Sequence, residues 1–423
     1  MNSRERVRTA LNHQEADQIP LDLGAGFQTG MHVQMVYKLR QALQLDPPGT
    51  PVKIIEPYQN LGEIKMDLLE AVGGDVVGVN PPATMFGYKS ENWKEWEYFN
   101  GTPVLVPEHY NTEPEADGSI LMWPEGDTSV PPSAIMPKDT YFFDSIERQP
   151  PLDDNNLHLE DNLEEFKPIS AEDLAYFGRE VDRLYRETDK AVYANFGGTA
   201  FGDIALVPAP WLKNPKGVRD IEEWYISTLT RQGYVYEIFE YQCAIALENL
   251  QKIFDVVGNK VDVVFLTGTD FGGQSGPLIS VKSYETLFKP FHKQLNDWIH
   301  DNTTWKTFMH TDGSLVPLMP HFIEAGFDIL NPIQWAAKNM SPVELKRNFG
   351  KQLVFWGGAI DSQKTLPFGT PEEVRVEVRA RIEDFRSGGG WIFNTVHNVV
   401  ANVPVENLLA MYETFHEYKR YLN

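Results

Sequence analysis

The run Phe308-Met309-His310-Thr311-Asp312-Gly313-Ser314-Leu315 sets the pattern by which this chain is read. A short apolar stretch with strand character ends in His310, Thr311 and Asp312, and Gly313 opens an amphipathic segment. Side chains two apart on extended backbone point the same way, so His310 and Asp312 can share one site at the exit of a strand. Imidazole and carboxylate together make a metal-ligand pair or an acid–base pair. The same run also fits a turn in which Asp312 caps a helix and His310 makes a structural hydrogen bond.

Working outward, short apolar runs beside turn residues recur at Ile19–Leu23, Asp75–Asn80, Ala191–Phe196, Val261–Leu266, Thr304–Met309, Phe327–Asn331, Gln352–Trp356 and Trp391–Asn394. Amphipathic stretches separate most of them. Ser341-Pro-Val-Glu344 and Thr370-Pro-Glu-Glu373 both carry the capping-box pattern with proline at the first helical position. Parallel-type strands alternating with helices predict an α/β chain folded as a single (β/α)8 TIM barrel over residues 1–423. The connection between the second and third strands is long. Within it, residues 87–149 are rich in Trp, Tyr, Pro and acidic residues and contain β-like pieces at Trp93–Tyr98, Thr102–Val106, Ser119–Trp123 and Tyr141–Asp144. These predict an inserted antiparallel β subdomain over one mouth of the barrel. The acidic stretch Asp153–Pro168 reads as a solvated surface connection.

Composition narrows the class of function. The chain has 42% hydrophobic and 23% charged residues, an ordinary globular mix, and a net charge of −23. Such an acidic surface repels phosphate backbones and argues against a nucleic-acid partner. One cysteine, Cys243, excludes an internal disulfide and an all-cysteine metal site, and fits a cytoplasmic protein. No signal-peptide pattern opens the sequence, and no run of ~18 apolar residues predicts a membrane span. Cys243 lies in an apolar helical stretch and reads as core.

Barrel enzymes build their sites at the C-terminal ends of the strands. Here those ends offer Asp22, Asn80, Asn195, Asp270 with Gln274, His310 with Asp312, Asn331 with Gln334 and Trp335, Asp361, and Asn394 with His397 and Asn398. A single polar residue at a strand end is more often a cap or turn former than a catalyst. Several histidines, carboxylates and amides converging on one mouth instead point to a site.

The order of motifs resembles the uroporphyrinogen decarboxylase superfamily, which includes cobalamin-dependent methyltransferases. The resemblance rests on ERVRTALNHQEADQIPLDLG, VDVVFLTGTDFGGQSGPLIS, FMHTDGSL, FDILNPIQ, FWGGAIDSQKTLPFGTPEEV and FNTVHNVVANVPVENLLAMYE, which follow one another in the family's order. It implies the (β/α)8 fold reached above from the strand count. Two departures set this chain apart. True uroporphyrinogen decarboxylases carry an M-R-Q-A-G-R-Y segment whose arginines pair with substrate carboxylates, whereas the corresponding stretch here is GFQTGMHVQMVYKLRQAL. Family methyltransferases that act on thiols hold zinc with a His-x-Cys-Gly motif and a later cysteine. Here His310-Thr-Asp312-Gly313 and His397-Asn398 stand in those places.

By this resemblance His310, Asp312 and His397 form a two-histidine, one-carboxylate set that zinc accepts with an open position. Such a set is a better Lewis acid than one with two thiolates and suits an oxygen leaving group. The expectation is a corrinoid-dependent methyltransferase. It would move a methyl group from a small methylated substrate, an O-methyl ether such as an aromatic one, to the Co(I) corrinoid of a separate corrinoid-binding protein, since no D-x-H-x-x-G segment is present. His310, Asp312 and Asp270 are the expected catalytic residues; Asn195, Gln274, Asn331, Gln334, Trp335 and Asn394 are expected to bind substrate. The family precedent is a monomer or homodimer. The alternative is a decarboxylase or lyase acting on a small carboxylic acid or a tetrapyrrole without corrinoid, with Asp270 or His310 as general acid.

Overall fold

The apolar runs fold as parallel strands, and the computed structural model describes residues 1–421 of the chain. Seven strands form one sheet: β1 (Val76–Val79), β2 (Ala191–Ala194), β3 (Val263–Thr267), β4 (Lys306–His310), β5 (Ile329–Asn331), β6 (Val354–Trp356) and β7 (Trp391–Ile392). Each pairs in parallel with the next in the chain, with registers such as Val76 opposite Ala191, Phe265 opposite Phe308 and His310 opposite Asn331. The strands alternate two destinations, as a period of two requires. Val76, Tyr193, Val263, Phe265, Phe308, Ile329, Val354, Trp356 and Ile392 pack together on the inner face. Val77, Val192, Val264, Met309, Leu330, Phe355 and Trp391 face the helices. Helices Gln232–Val257, Lys289–Asn302, Pro371–Phe385 and Val405–Tyr418 cover that outer side. This is a barrel-like α/β fold.

The first expected strand, Ile19–Leu23, is not formed as a strand. Leu21 makes a single parallel bridge to Phe393. Around it Asp22 N–H donates to Phe393 O at 3.0 Å, Phe393 N–H to Pro20 O at 2.8 Å, and Asp75 N–H to Leu21 O at 2.7 Å. The segment lies between the two edges of the sheet, but its ladder is cut short. Pro20 has no N–H to give, and Leu21 N–H is taken by the Asp75 carboxylate at 3.0 Å.

Carboxylates at the N-terminal ends of alternate strands hold that end of the sheet. Asp75, Asp262 and Asp328 immediately precede or begin the strand segments and accept backbone N–H groups of Leu21, Val192 and Thr307 at 3.0, 2.8 and 2.9 Å. Arg6 reaches Asp75 and Arg8 reaches Asp262, each at 2.5 Å, from the helix Ser3–Leu11. Val7, Ala10 and Leu11 of that helix join the inner core. These acids serve stability at the face away from the strand exits.

Between β1 and β2 lie Lys94–Glu97, Pro103–Val106, Ile120–Met122, Ala134–Met136 and Asp144–Ser145. The last three form an antiparallel sheet. The first two join Val52–Glu56 and Leu61–Gly62 in a mixed sheet, where Val52–Glu56 pairs in parallel with Pro103–Val106. Residues upstream of the long connection therefore contribute to its β structure. Tyr88, Trp96, Tyr98, Tyr110 and Phe143 pack among one another and with Phe86. Thr370 forms the expected capping box with Glu373, whereas Ser341 accepts no cap hydrogen bond and the fixed φ of Pro342 begins its helix.

Gly78 explains how the loop after Asp22 lies so close to β1. A Cβ at Gly78 would stand 1.7 Å from the carbonyl oxygen of Ala25. Gly78→Ala should therefore lower stability by about 1–3 kcal/mol or more, read as a lower midpoint in chemical denaturation. An unchanged midpoint would mean that the Gly24–Gly30 loop can retreat freely.

Candidate active site

Strand β4 carries His310 on the same inward face as Phe308, at its C-terminal end, as the two-residue spacing predicts. Backbone contacts then fix Asp312. Gly313 adopts a positive φ of 89°, and a Cβ on it would meet the Gly272 carbonyl carbon at 2.4 Å. Phe271 N–H donates to Thr311 Oγ1 at 2.8 Å, Asp312 N–H to Asp270 Oδ1 at 2.9 Å, and Gly313 N–H to Gln334 Oε1 at 2.8 Å. The third residue, His397, sits on the loop after β7. Asn398 anchors that loop by accepting from Gly30 N–H at 2.5 Å and donating to Phe27 O and Gln59 Oε1 at 2.8 Å each.

The two strand ends bring His310, Asp312 and His397 together, with one ligand-type atom of each within 4.8 Å of the others. Asp312 Oδ2 lies 3.8 Å from His310 Nε2 and 3.9 Å from His397 Nε2. The imidazole rings stand 5.2 Å apart, centre to centre, at 67°. The tautomer of His310 follows from its neighbour. Asn331 Nδ2 donates to Trp356 O at 2.9 Å, which turns Asn331 Oδ1 toward His310 Nδ1 at 2.7 Å. Nδ1 must therefore carry the hydrogen, and Nε2 presents its lone pair to the space shared with Asp312 and His397. A histidine held this way through its other nitrogen is the usual form of a metal-bound imidazole. Loss of water around His397 lowers its pKa, partly offset by the Asp312 charge. The donor set thus fits a cation such as zinc.

The three residues line a cavity of about 1010 Å³. Its walls include Phe27, Gln28, His32, Phe177, Asn195, Phe196, Phe265 and Asp270, and on the side of the long connection Tyr141, Phe142 and Phe143. Burial raises several of its carboxyls. Asp270 is held at about 6 by burial and by the Asp312 charge, with His310 acting the other way. Asp203 stands at about 7 through burial and the charges of Asp270 and Glu165. Glu56, which accepts Tyr58 and Gln59 N–H groups at 2.9 and 2.7 Å, is pushed by burial to about 7.

Glu56 gives a pH prediction. A carboxyl whose pKa rises from 4.5 unfolded to about 7 folded binds more protons in the folded state between those values. Its contribution to stability is present below about 4.5, falls as pH rises to about 7, and is level above. Melting temperature measured from pH 5 to 8 should decline less in Glu56→Gln than in the unaltered protein. The difference in slope should be worth on the order of 1–3 kcal/mol. Parallel profiles would contradict the assignment.

The other expected site residues divide. Asn195 lines the cavity, with its Oδ1 accepting from Gly197 N–H at 3.0 Å. Asn331 stands behind His310 and positions it instead of facing substrate. Gln334 is spent on Gly313 N–H. Asn394 is buried and donates to Asp22 O at 3.0 Å and Thr29 O at 3.3 Å. Trp335 lies under the guanidinium of Arg381 at 4.7 Å, away from the cavity. Gln274 is exposed on its loop. These polar ends are occupied as caps and struts, the ordinary fate of strand-exit residues. Asp203 and Glu165 are among the cavity residues that escaped the sequence reading. Asp203 follows Phe201-Gly202 with no motif around it. Glu165 belongs to the acidic stretch read as solvated, yet it turns inward and accepts Thr199 and Ala200 N–H groups. Cys243 is buried, as expected, and its thiol is pushed up to about 12.

Residues 211–418 match the family described as Uroporphyrinogen decarboxylase (URO-D). A uroporphyrinogen decarboxylase of Actinobacillus succinogenes is 31% identical over 77 residues, 18% of this chain and 21% of that protein. One from Mannheimia succiniciproducens is 23% identical over 182 residues, 40% of this chain and 49% of that protein. One from Trichodesmium erythraeum is 24% identical over 288 residues, 65% and 72% of the two chains. The chain thus spans between a fifth and a half of the length of the first two relatives. Among solved structures, a methyltransferase from Methanosarcina mazei shares the fold over 99% of both chains, with a TM-score of 0.55 and 13% identity. No helix among the described residues is long and apolar enough to cross a membrane. The chain thus carries a match to the uroporphyrinogen decarboxylase family over residues 211–418 and a longer, more distant likeness to whole members of that family.

Proposed function

We propose that this protein is a corrinoid-dependent methyltransferase that takes a methyl group from a small O-methylated substrate and delivers it to the Co(I) corrinoid of a separate protein. The observation that carries the reading is the convergence of His310, Asp312 and His397, none of them a thiol, at the wall of the large cavity. The name of the Methanosarcina mazei protein that shares the fold is consistent with it. Residues 87–149 are read as an inserted β subdomain over the cavity mouth.

The arginine that the sequence retains near the family's carboxylate clamp is turned elsewhere. Arg40 is buried and bound by Asp46 and Asp67. Gln28 and His32 face the cavity from that stretch instead. A tetrapyrrole with many carboxylates would meet acids here, which favours methyl transfer over decarboxylation of such a substrate.

Zinc held by His310 Nε2, the Asp312 carboxylate and His397 Nε2 would supply Lewis acidity to the leaving oxygen. Asn331 keeps His310 in the tautomer that leaves Nε2 free. Asp270, which lines the cavity, fixes the Asp312 backbone through Oδ1, and its raised pKa keeps a protonated fraction near neutral pH for the departing oxygen. Asn195 and the aromatic wall orient the substrate and limit water. The cavity is larger than a small methyl donor fills and leaves room for the face of a planar carrier.

The reading is tested anaerobically with purified protein, Co(I) cobalamin and a panel of aryl and alkyl methyl ethers, following the cobalt absorption. Protein-dependent appearance of methylcobalamin is the expected result. Release of carbon dioxide from small acids without any corrinoid would favour the lyase alternative.

A further inference from the structure

The cavity wall beyond the triad holds a carboxylate with an unused oxygen. Asp203 is only 8% exposed. Its Oδ1 accepts Ala205 N–H at 3.0 Å, and its Oδ2 has no hydrogen-bond partner among the described residues. Gly268, at the exit of β3, makes room for that oxygen. A Cβ there would lie 2.8 Å from Asp203 Oδ2 and 3.4 Å from Cζ of Phe265. A carboxylate oxygen and the tip of an aromatic ring thus border the same gap. Glu165 lies on the same wall, held by the Thr199 and Ala200 N–H groups at 3.3 and 3.4 Å.

Two cations near this wall are committed to other acids. Lys213 is paired with Glu125 and Asp127 at 2.9 Å each, and Arg219 with Glu164 at 2.6 Å. Lys167 also lines the cavity, but from a solvent-exposed position, and its charge is not among those that act on Asp203 or Glu165. Burial holds Asp203 up to about 7, as befits a carboxyl without a cation beside it. Buried charge without a partner is unfavourable, and a ligand that brings the opposite charge relieves it.

We propose that the corner formed by Asp203, Glu165 and Phe265 is a subsite for a positively charged nitrogen, so that the methyl donor carries an ammonium group and not a carboxylate. That this ligand is the methyl donor rests on the function proposed above; the preference for a cation does not. A methoxybenzoate is excluded on this account, because its carboxylate would face Asp203, Glu165 and Asp270.

The test is calorimetric titration of the full chain, without corrinoid, using choline, its neutral isostere 3,3-dimethylbutan-1-ol, and 4-methoxybenzoate. Choline should bind at least about tenfold tighter than the isostere, and 4-methoxybenzoate should bind weakest. Asp203→Asn, checked for folding by its melting curve, should remove the preference for choline and leave the isostere unchanged. Equal binding of choline and isostere, tighter binding of the benzoate, no binding of choline, or a folded Asp203→Asn with intact preference would overturn the proposal. If the variant does not fold, the comparison of the three ligands on the unaltered protein decides. A cation preference without methyl transfer in the cobalamin assay would remove the proposed function and keep the subsite. Methyl transfer from neutral ethers without cation preference would do the reverse.

Discussion

His310→Ala should lose bound zinc and methyl transfer together, with activity falling by more than about 100-fold. His310 is 6% exposed and gives the set its most buried nitrogen. Its Nδ1 is committed to Asn331, so Nε2 has no function inside the fold other than to face Asp312 and His397. Removing a partner that merely orients a ligand typically costs 10–100-fold in affinity or activity. Removing the ligand itself should cost more, because two donors remain where zinc is normally held by at least three. Elemental analysis and the cobalamin assay on the same preparation read both effects, and the melting curve confirms that the variant is folded. Activity that survives without metal would sink the Lewis-acid account. It would leave Asp270 and Asp312 as a direct acid–base pair.

A second large effect is expected at Asn331, which touches no substrate. Asn331→Leu removes the acceptor that fixes His310 in one tautomer, and zinc affinity should fall by about 10–100-fold in a chelator competition titration. It also strips the Trp356 carbonyl of its donor, so stability should fall by about 1–3 kcal/mol. Asn331→Asp separates the two roles. The carboxylate still accepts from His310 Nδ1–H, so metal should be retained, while the Trp356 carbonyl again loses its donor and stability drops. Equal zinc affinity in Asn331→Leu and the unaltered protein would show that the tautomer is set elsewhere.

How far the sequence carried the site depends on the kind of interaction involved. His310 and Asp312 were legible because a strand's period places residues two apart on one side. His397 stood among the strand-end residues, but its grouping with His310 and Asp312 came only from the order of motifs, since no local pattern ties it to β4. The strands were legible from apolar runs. Ile19–Leu23 was not correctly read: the N–H missing at Pro20 was visible, but the diversion of the Leu21 N–H to Asp75 depends on a partner far along the chain. Gln334, Asn394 and Trp335 looked like site residues by position. What occupies them, Gly313 N–H, the Asp22 and Thr29 carbonyls and the Arg381 guanidinium, lies elsewhere in sequence. Asp203 and Glu165 show the opposite failure. Glu165 lay in a stretch read as solvated and Asp203 had no motif to mark it, and only the folded chain reveals that Gly268 and the Thr199–Ala200 backbone enclose them. Burial of charge is a property of tertiary contacts and leaves little trace in local pattern.

In the proposed function this strand-end triad is a metal centre built without sulfur. It is tested most directly by elemental analysis and zinc-edge X-ray absorption on protein purified without chelator or nickel affinity. The account predicts about one zinc per chain, bound only through nitrogen and oxygen, and lost in His310→Ala and His397→Ala. Cys243, the chain's one cysteine, is buried in the helix Gln232–Val257 and cannot contribute. A metal-free native protein, a sulfur ligand, or zinc retained in both variants would contradict it.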